Sequence, residues 1–436
     1  MRYATLPLLA GISLAAISCT DRSPVAPSLD AGVAAATVTT PGTGPWAKVV
    51  EGETGPGSLY ALYIPSAENW NGDVVYYSHG IRPPLDPIAL GNQNNFVAVR
   101  EALGAQGYAF AYSSYSENGL AIKDGAQRTH QLRGLLNSQL PGKPQRNYLA
   151  GHSLGALVAL DLAERFPGQY DGVLAMCGMI GGTPLEVQYV ADVRALFDAY
   201  YPGALPGNAI SVPTQLTLGQ IQAAVFRAIT PTAANPLATL KMFAIASTAQ
   251  TPLAYKPDWT PADASVGIAS SPAFRNMVES LITALYYHNL GTPDVVDRIH
   301  GQSPYDNRNT TYTMGTPAVP SAALIPTIQS LIAGANQTVA RYDMPPDAQS
   351  YLEKYYVPTG RLTIPVVSIH NSWDPLVPYF HEPAFAQAAR SAGALDLLAQ
   401  LPRVDTYGHC NFSTPFVVSS FEALVDWVKN GNKPVT

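Results

Sequence analysis

The sequence predicts an α/β fold with a mostly parallel central sheet flanked by helices, and three observations predict it. Short apolar runs alternate with helix-length segments from about residue 58 to residue 182. Residues 147–160 read as a buried strand, a sharp glycine-framed turn and a small-residue helix. The alternation stops near residue 183 and resumes after residue 360. Strands that alternate with helices build parallel sheets covered on both faces.

With 436 residues, 47% of them hydrophobic and only 13% charged, the chain can bury a large interior, and its length admits two or three domains or one large domain carrying an insertion. The balance of 25 Lys+Arg against 31 Asp+Glu gives a net charge of −6, with no basic run. Nucleic acid is therefore excluded as a partner on electrostatic grounds.

Taken in order, the chain opens with Arg2 followed by an apolar run, residues 6–17, too short to span a bilayer comfortably and suited to a signal peptide. Ala16-Ile17-Ser18-Cys19 resembles a bacterial lipobox with Cys19 as the lipid-bearing residue, although Ala16 stands where leucine is usual. The same residues also fit an ordinary small-x-small cleavage site. Residues 1–19 are thus expected to direct export, either to the cell envelope as a lipoprotein or to the outside as a secreted protein. Membrane contact is expected only through a lipid at Cys19. Residues 20–45, rich in Pro, Ala, Thr and Ser, read as a flexible tether, with folded structure beginning near Trp46.

A hairpin is expected from the runs 47–51 and 58–64 about the turn 52–57, whose glycines lack the Lys-Ser/Thr and helix start of a phosphate cradle. Residues 73–78 and 108–113 read as strands, 95–103 and 126–136 as helices. Residues 172–177 form the strand after the glycine-framed turn. Residues 183–359 contain no clear buried strand but several helical stretches (185–200, 218–229, 236–247, 272–290 and 321–335) divided by proline-rich connectors. This is expected to be a helical cap. The core, residues 46–182, then continues over 360–436, with strands at 362–369 and 399–404 and helices at 383–391 and 414–429.

Chemistry enters at Gly151-His152-Ser153-Leu154-Gly155. A serine at the apex of a strand–turn–helix is lifted above the sheet, and its flanking glycines let the two backbones pass closely. A serine hydroxyl needs an imidazole to take its proton, and the imidazole needs a carboxylate to hold its tautomer. Later strand ends offer both: Asp374 within Ser372-Trp373-Asp374-Pro375-Leu376-Val377-Pro378, and His409 within Tyr407-Gly408-His409-Cys410.

In these motifs, in the order serine, acid, histidine, the chain resembles the α/β-hydrolase superfamily over residues 58–182 and 360–436. The resemblance implies Ser153 as nucleophile, His409 as general base and acid, and Asp374 as the orienting carboxylate. Asn371 departs from the pattern, since many members have glycine there. His79-Gly80 resembles the family's His-Gly. The oxyanion donors expected on that basis are the amides of Leu154 and Ile81, with Arg82 as the neighbouring alternative to Ile81.

The implied activity is cleavage of carboxylic esters by a serine hydrolase through an acyl-enzyme. Cap residues Phe243, Phe274, Tyr286, Tyr287, Tyr355 and Tyr356 favour hydrophobic or aromatic substrates, small or polymeric, though the same rings serve equally as cap core. A serine peptidase of the same superfamily would want clustered cap carboxylates, and Asp192, Asp198, Asp294 and Asp297 are dispersed. A catalytically idle surface binding protein is the reading from another class. Asp405 is the alternative acid, and His79 and His152 read as structural. The remaining histidines, His130, His288, His300, His370 and His381, show no metal-ligand spacing, so neither metal nor cofactor is expected. Cys177 and Cys410 fall at the same sheet edge, where either a disulfide or two buried thiols fits an exported chain.

Overall fold

The first strands of the computed structural model are β1 (Val38–Pro41), β2 (Lys48–Glu53), β3 (Leu59–Ile64) and β4 (Asp73–Ser78). Helix α1 (Phe96–Ala105), β5 (Ala109–Ser113), α2 (Ile122–Asn137), β6 (Arg146–His152), α3 (Leu154–Arg165) and β7 (Gly172–Met176) follow. After the helices α4 (Thr183–Tyr200), α5 (Leu218–Ile229), α6 (Ala238–Ser247), α7 (Pro272–Arg298), α8 (Ile325–Thr338) and α9 (Pro346–Tyr356), strands return. They are β8 (Val366–Ile369) and β9 (Asn371–Trp373), then α10 (His381–Ser391), β10 (Leu398–Gln400), β11 (Val404–Tyr407) and the closing α11 (Thr414–Asn430). The structure describes residues 37–55, 57–91, 95–259 and 271–436, all within the unit Thr37–Thr436.

Nine strands form one sheet in the order β1-β2-β3-β5-β4-β6-β7-β8-β10. The pairings β1/β2, β2/β3 and β3/β5 are antiparallel, and every pairing from β5 to β10 is parallel. The central strands are buried along their whole length, which is why they read as unbroken apolar runs. Alternate residues serve opposite faces. Val74, Tyr76, Leu149, Val173 and Val366 pack with α2, α3 and α10, whereas Val75, Tyr77, Tyr148, Leu174 and Val367 pack with α1 and α11. A third apolar cluster lies within the helical stretch and runs from Tyr189 to Val339.

Four expectations are corrected. Residues 38–41, assigned to the tether, form β1 and pair with β2 from Val38↔Glu51 to Pro41↔Lys48; an edge strand needs pairing on one side only, so its polar composition is tolerated. The rest of the expected tether, residues 20–36, and the leader with Cys19 lie outside the described residues. The strand expected at 362–369 begins at Val366, immediately after Pro365, which has no N–H to give a ladder. The run 399–404 is two strands, β10 and β11, separated at Pro402. Finally, α7 continues through Gly291 and Pro293 to Arg298, and α9 was not foreseen.

Candidate active site

Strand β6 ends at His152 and α3 begins at Leu154, which leaves Ser153 alone at the turn with φ 55° and ψ −124°. A non-glycine residue there is strained and persists only because its surroundings over-determine it. The two glycines supply that tight packing. A Cβ on Gly151 would overlap the carbonyl oxygen of Gly155, and one on Gly155 would overlap that of Ser78 at the end of β4. Strand, elbow and helix therefore close only with glycine at both positions.

The acid and the histidine arrive together on a ribbon that the sequence did not reveal. Strand β9 pairs in parallel with β11, Val404 opposite Asn371 and Tyr407 opposite Trp373. The Gly408 N–H, at φ 120°, donates to the Trp373 carbonyl at 3.0 Å. Asn371 locks the ribbon: its Oδ1 accepts from the Asn411 N–H at 3.0 Å, and its Nδ2 donates to the Asn411 carbonyl at 3.1 Å and to Thr406 Oγ1 at 2.5 Å. An asparagine in place of the usual glycine thus clamps the histidine loop to the acid loop.

Asp374 is buried, and Oδ1 accepts from the Leu376 and Val377 N–H groups at 2.9 Å each. Its Oδ2 lies 2.8 Å from His409 Nδ1. Nδ1 therefore carries the proton, and Nε2 is free to accept one. Asp405 is exposed instead, bonded to Trp373 Nε1 at 2.7 Å and Lys256 Nζ at 3.2 Å. These bonds, to Trp373 first, hold its carboxyl below the usual range.

Cys177 and Cys410 form a disulfide, with Cα atoms 5.3 Å apart. Cys177 follows Met176, whose carbonyl accepts from the Ser153 N–H at 2.9 Å, and Cys410 follows His409. The bridge thereby ties the histidine loop to the strand end beside the elbow. His409 Nε2 lies 3.5 Å from Cys410 Sγ, and among the described residues no hydrogen bond joins it to Ser153 Oγ. A hydrogen bond between a serine hydroxyl and an imidazole at such a site is often long without a bound molecule and tightens around one.

His152 and His79 flank the elbow without a proton to move. Burial, helped by the charge of His409, pushes His152 down to about 3, and Tyr77 Oη lies 3.0 Å from its Nδ1. Burial takes His79 down to about 4; its Nδ1 donates to the Gly80 carbonyl at 2.7 Å and its ring stacks on Tyr115 at 3.8 Å. Leu154 opens α3, where an amide has no partner inside the helix.

Ser153 opens onto a cavity of about 520 Å³, its mouth included, walled mainly by Ile81, Leu120, Met179, Val187, Leu376 and Val377. Ile81 is in that wall and Arg82 is not. Among the described residues, Tyr287 is the one aromatic side chain singled out from sequence that lines it, while Phe243 and Phe274 belong to the core of the helical stretch and the Tyr356 side chain lies outside the described residues. Several wall residues went unnoticed in sequence, and one of them is an acid. Glu186, on α4, sets Oε2 2.9 Å from His381 Nε2. A glutamate in an ordinary helical first turn carries no local signal of such a role.

Residues 91–272 match the protein family described as "Putative esterase". The matched segment contains the elbow, and the sheet order around it is already established. The fold is that of the α/β-hydrolases, and its elbow-bearing segment is esterase-like. Asp374 and His409 lie outside the matched residues. Solved structures similar to the hydrolase include the ligand-bound rice cell wall degrading esterase LipA from Xanthomonas oryzae. It shares 13% identity, with 88% of this chain and 90% of that one covered and a TM-score of 0.38. Feruloyl esterase B from Aspergillus oryzae shares 12% identity, with 89% and 82% covered and a TM-score of 0.44. A membrane phospholipase A described as a bacterial virulence factor shares 11%, with 91% and 87% covered and a TM-score of 0.37. No curated protein sequence matches.

Proposed function

We propose that this hydrolase cleaves carboxylic esters through an acyl-enzyme on Ser153. The observation that carries the reading is the buried Asp374–His409 pair at 2.8 Å, tied through the disulfide to the strand end beside a strained serine elbow. In the first step His409 Nε2 takes the hydroxyl proton as Ser153 Oγ attacks the carbonyl carbon, and Asp374 steadies the imidazolium. The amides of Leu154 and Ile81 receive the oxyanion. His409 then protonates the departing alcohol, and water repeats the sequence to release the acid.

The helical stretch 183–359 acts as the cap and sets substrate choice, supported by Val187, Tyr287 and Val295 in the cavity wall. The apolar wall favours hydrophobic acyl groups on a small or polymeric ester. A peptidase finds less support. Asp192 is engaged by Tyr305 and Tyr312, Asp198 by Arg194 and Asp294 by Arg298, so none of the three offers a free carboxylate for a substrate amine. Export, with or without a lipid at Cys19, is part of the proposal and rests on residues 1–19; the intact mass of the processed protein distinguishes the two forms. No helix among the described residues is long and apolar enough to cross a membrane.

The test compares p-nitrophenyl alkanoates with amino-acid anilides on the mature protein. Turnover of the alkanoates by wild type, lost in S153A, is the expected result. Preferential cleavage of anilides would make it a peptidase, and no turnover of either by folded protein would leave the idle scaffold.

A further inference from the structure

Among the described residues Glu186 is the one acid in the wall of an otherwise largely apolar cavity, and only one of its oxygens is bonded. Oε2 faces His381 Nε2 at 2.9 Å, whereas Oε1 is buried with no partner among the described residues. The histidine fixes where the protons are. The Gly181 N–H donates to His381 Nδ1 at 3.1 Å, so Nδ1 has no proton, and the neutral ring carries its own on Nε2 and donates it to Oε2. Burial holds His381 well below its usual value, which keeps the ring neutral. Burial, and then the nearby charge of Asp374, hold the Glu186 carboxyl well above its usual range. With Oε2 already accepting, the carboxyl proton belongs on Oε1. An apolar pocket thus presents a hydrogen-bond donor with nothing to receive it, and buried polar groups in such positions are normally paired.

We propose that Glu186 is a specificity residue of the substrate cavity, whose Oε1–H donates a hydrogen bond to one uncharged oxygen, such as an ether or hydroxyl oxygen, on an otherwise apolar acyl chain. The inference rests on the ester-hydrolase reading. The acyl side is chosen because His409, which must protonate the leaving alcohol, is not in the cavity wall, whereas Ser153 is. A site built to bond a substrate oxygen discriminates against the analogue that lacks it, because its own polar group is then left unpaired.

The test scans an oxygen along the chain using p-nitrophenyl octanoate and its isosteres with an ether oxygen replacing carbon 4, 5, 6 or 7. The readout is kcat/KM for each isostere relative to octanoate, in wild type, E186Q and E186L. At one position the wild-type ratio should exceed that of E186L by about tenfold or more. E186Q should keep most of that preference, because its amide accepts from His381 and still donates from the other side. An ether oxygen cannot donate, so the preference also distinguishes a protonated Glu186 from a carboxylate. The same set as uncleavable N-alkyl amides, titrated calorimetrically, reports the affinity ratio independently of turnover. Equal ratios in wild type and E186L at every position, in turnover and in binding, would overturn the assignment. If no ester is turned over, the ester-hydrolase reading fails, and the binding ratios still decide the role of Glu186.

Discussion

Removing the disulfide should weaken the fold and the chemistry together. The bridge between Cys177 and Cys410 closes a loop of 233 residues. In the chain-entropy treatment a loop of that length stabilises the folded state by about 5 kcal/mol at 25 °C. Both cysteines are held at positive φ, 45° and 52°, and relaxation of those residues in the variant returns roughly 1–2 kcal/mol for each. The double variant C177A/C410A should therefore lose about 2 kcal/mol of stability, read as a lower urea midpoint with a raised m-value, because the unlinked chain unfolds to a more open state. The β9/β11 ribbon still holds the histidine loop, so kcat on a p-nitrophenyl ester should fall about 10- to 100-fold, the scale of a small misplacement of a catalytic group. KM should move less. A variant that unfolds at the wild-type urea concentration and turns over at the wild-type rate would refute the idea that the bridge positions His409.

Three further outcomes are expected. N371G, which installs the glycine usual in the superfamily, removes three hydrogen bonds from the buried clamp and should cost about 3 kcal/mol by urea denaturation. Unchanged stability would show that the clamp is incidental. D374N should lower kcat about 10⁴-fold while circular dichroism stays native, since an amide no longer holds the Nδ1–H tautomer; a loss under tenfold would remove Asp374 from the mechanism. His288 is buried away from the site, its Nε2 2.9 Å from the Ala209 carbonyl, and burial followed by the charge of Arg194 takes it down to about 3. Its unfolded form gains a proton below about pH 6.5 and the folded form does not, so stability falls as pH drops through that window. Between pH 7.5 and 4 wild type should lose about 3 kcal/mol more than H288Q, measured as urea midpoints across pH. Parallel pH curves would contradict this.

The elements legible in the sequence were those with strong local signals. The Gly151–Gly155 elbow could be read because two glycines are required there by clashes with backbone that no other residue avoids. The inner strands could be read because burial on both faces leaves them continuously apolar. Strand β1 was missed because an edge strand needs little apolar content, and β9 and β11 because three- and four-residue strands carry too few alternations to show a period. Glu186 was missed for a different reason. Its meaning lies in contact with His381, 195 residues away, and no local pattern in the chain encodes that meeting.

The most direct test of the account is fluorophosphonate labelling of the mature protein followed by peptide mass spectrometry. The account predicts a single adduct on Ser153, formed by wild type and reduced at least about a hundredfold in rate in H409Q. An adduct on another residue, or undiminished labelling of Ser153 in H409Q, would contradict it.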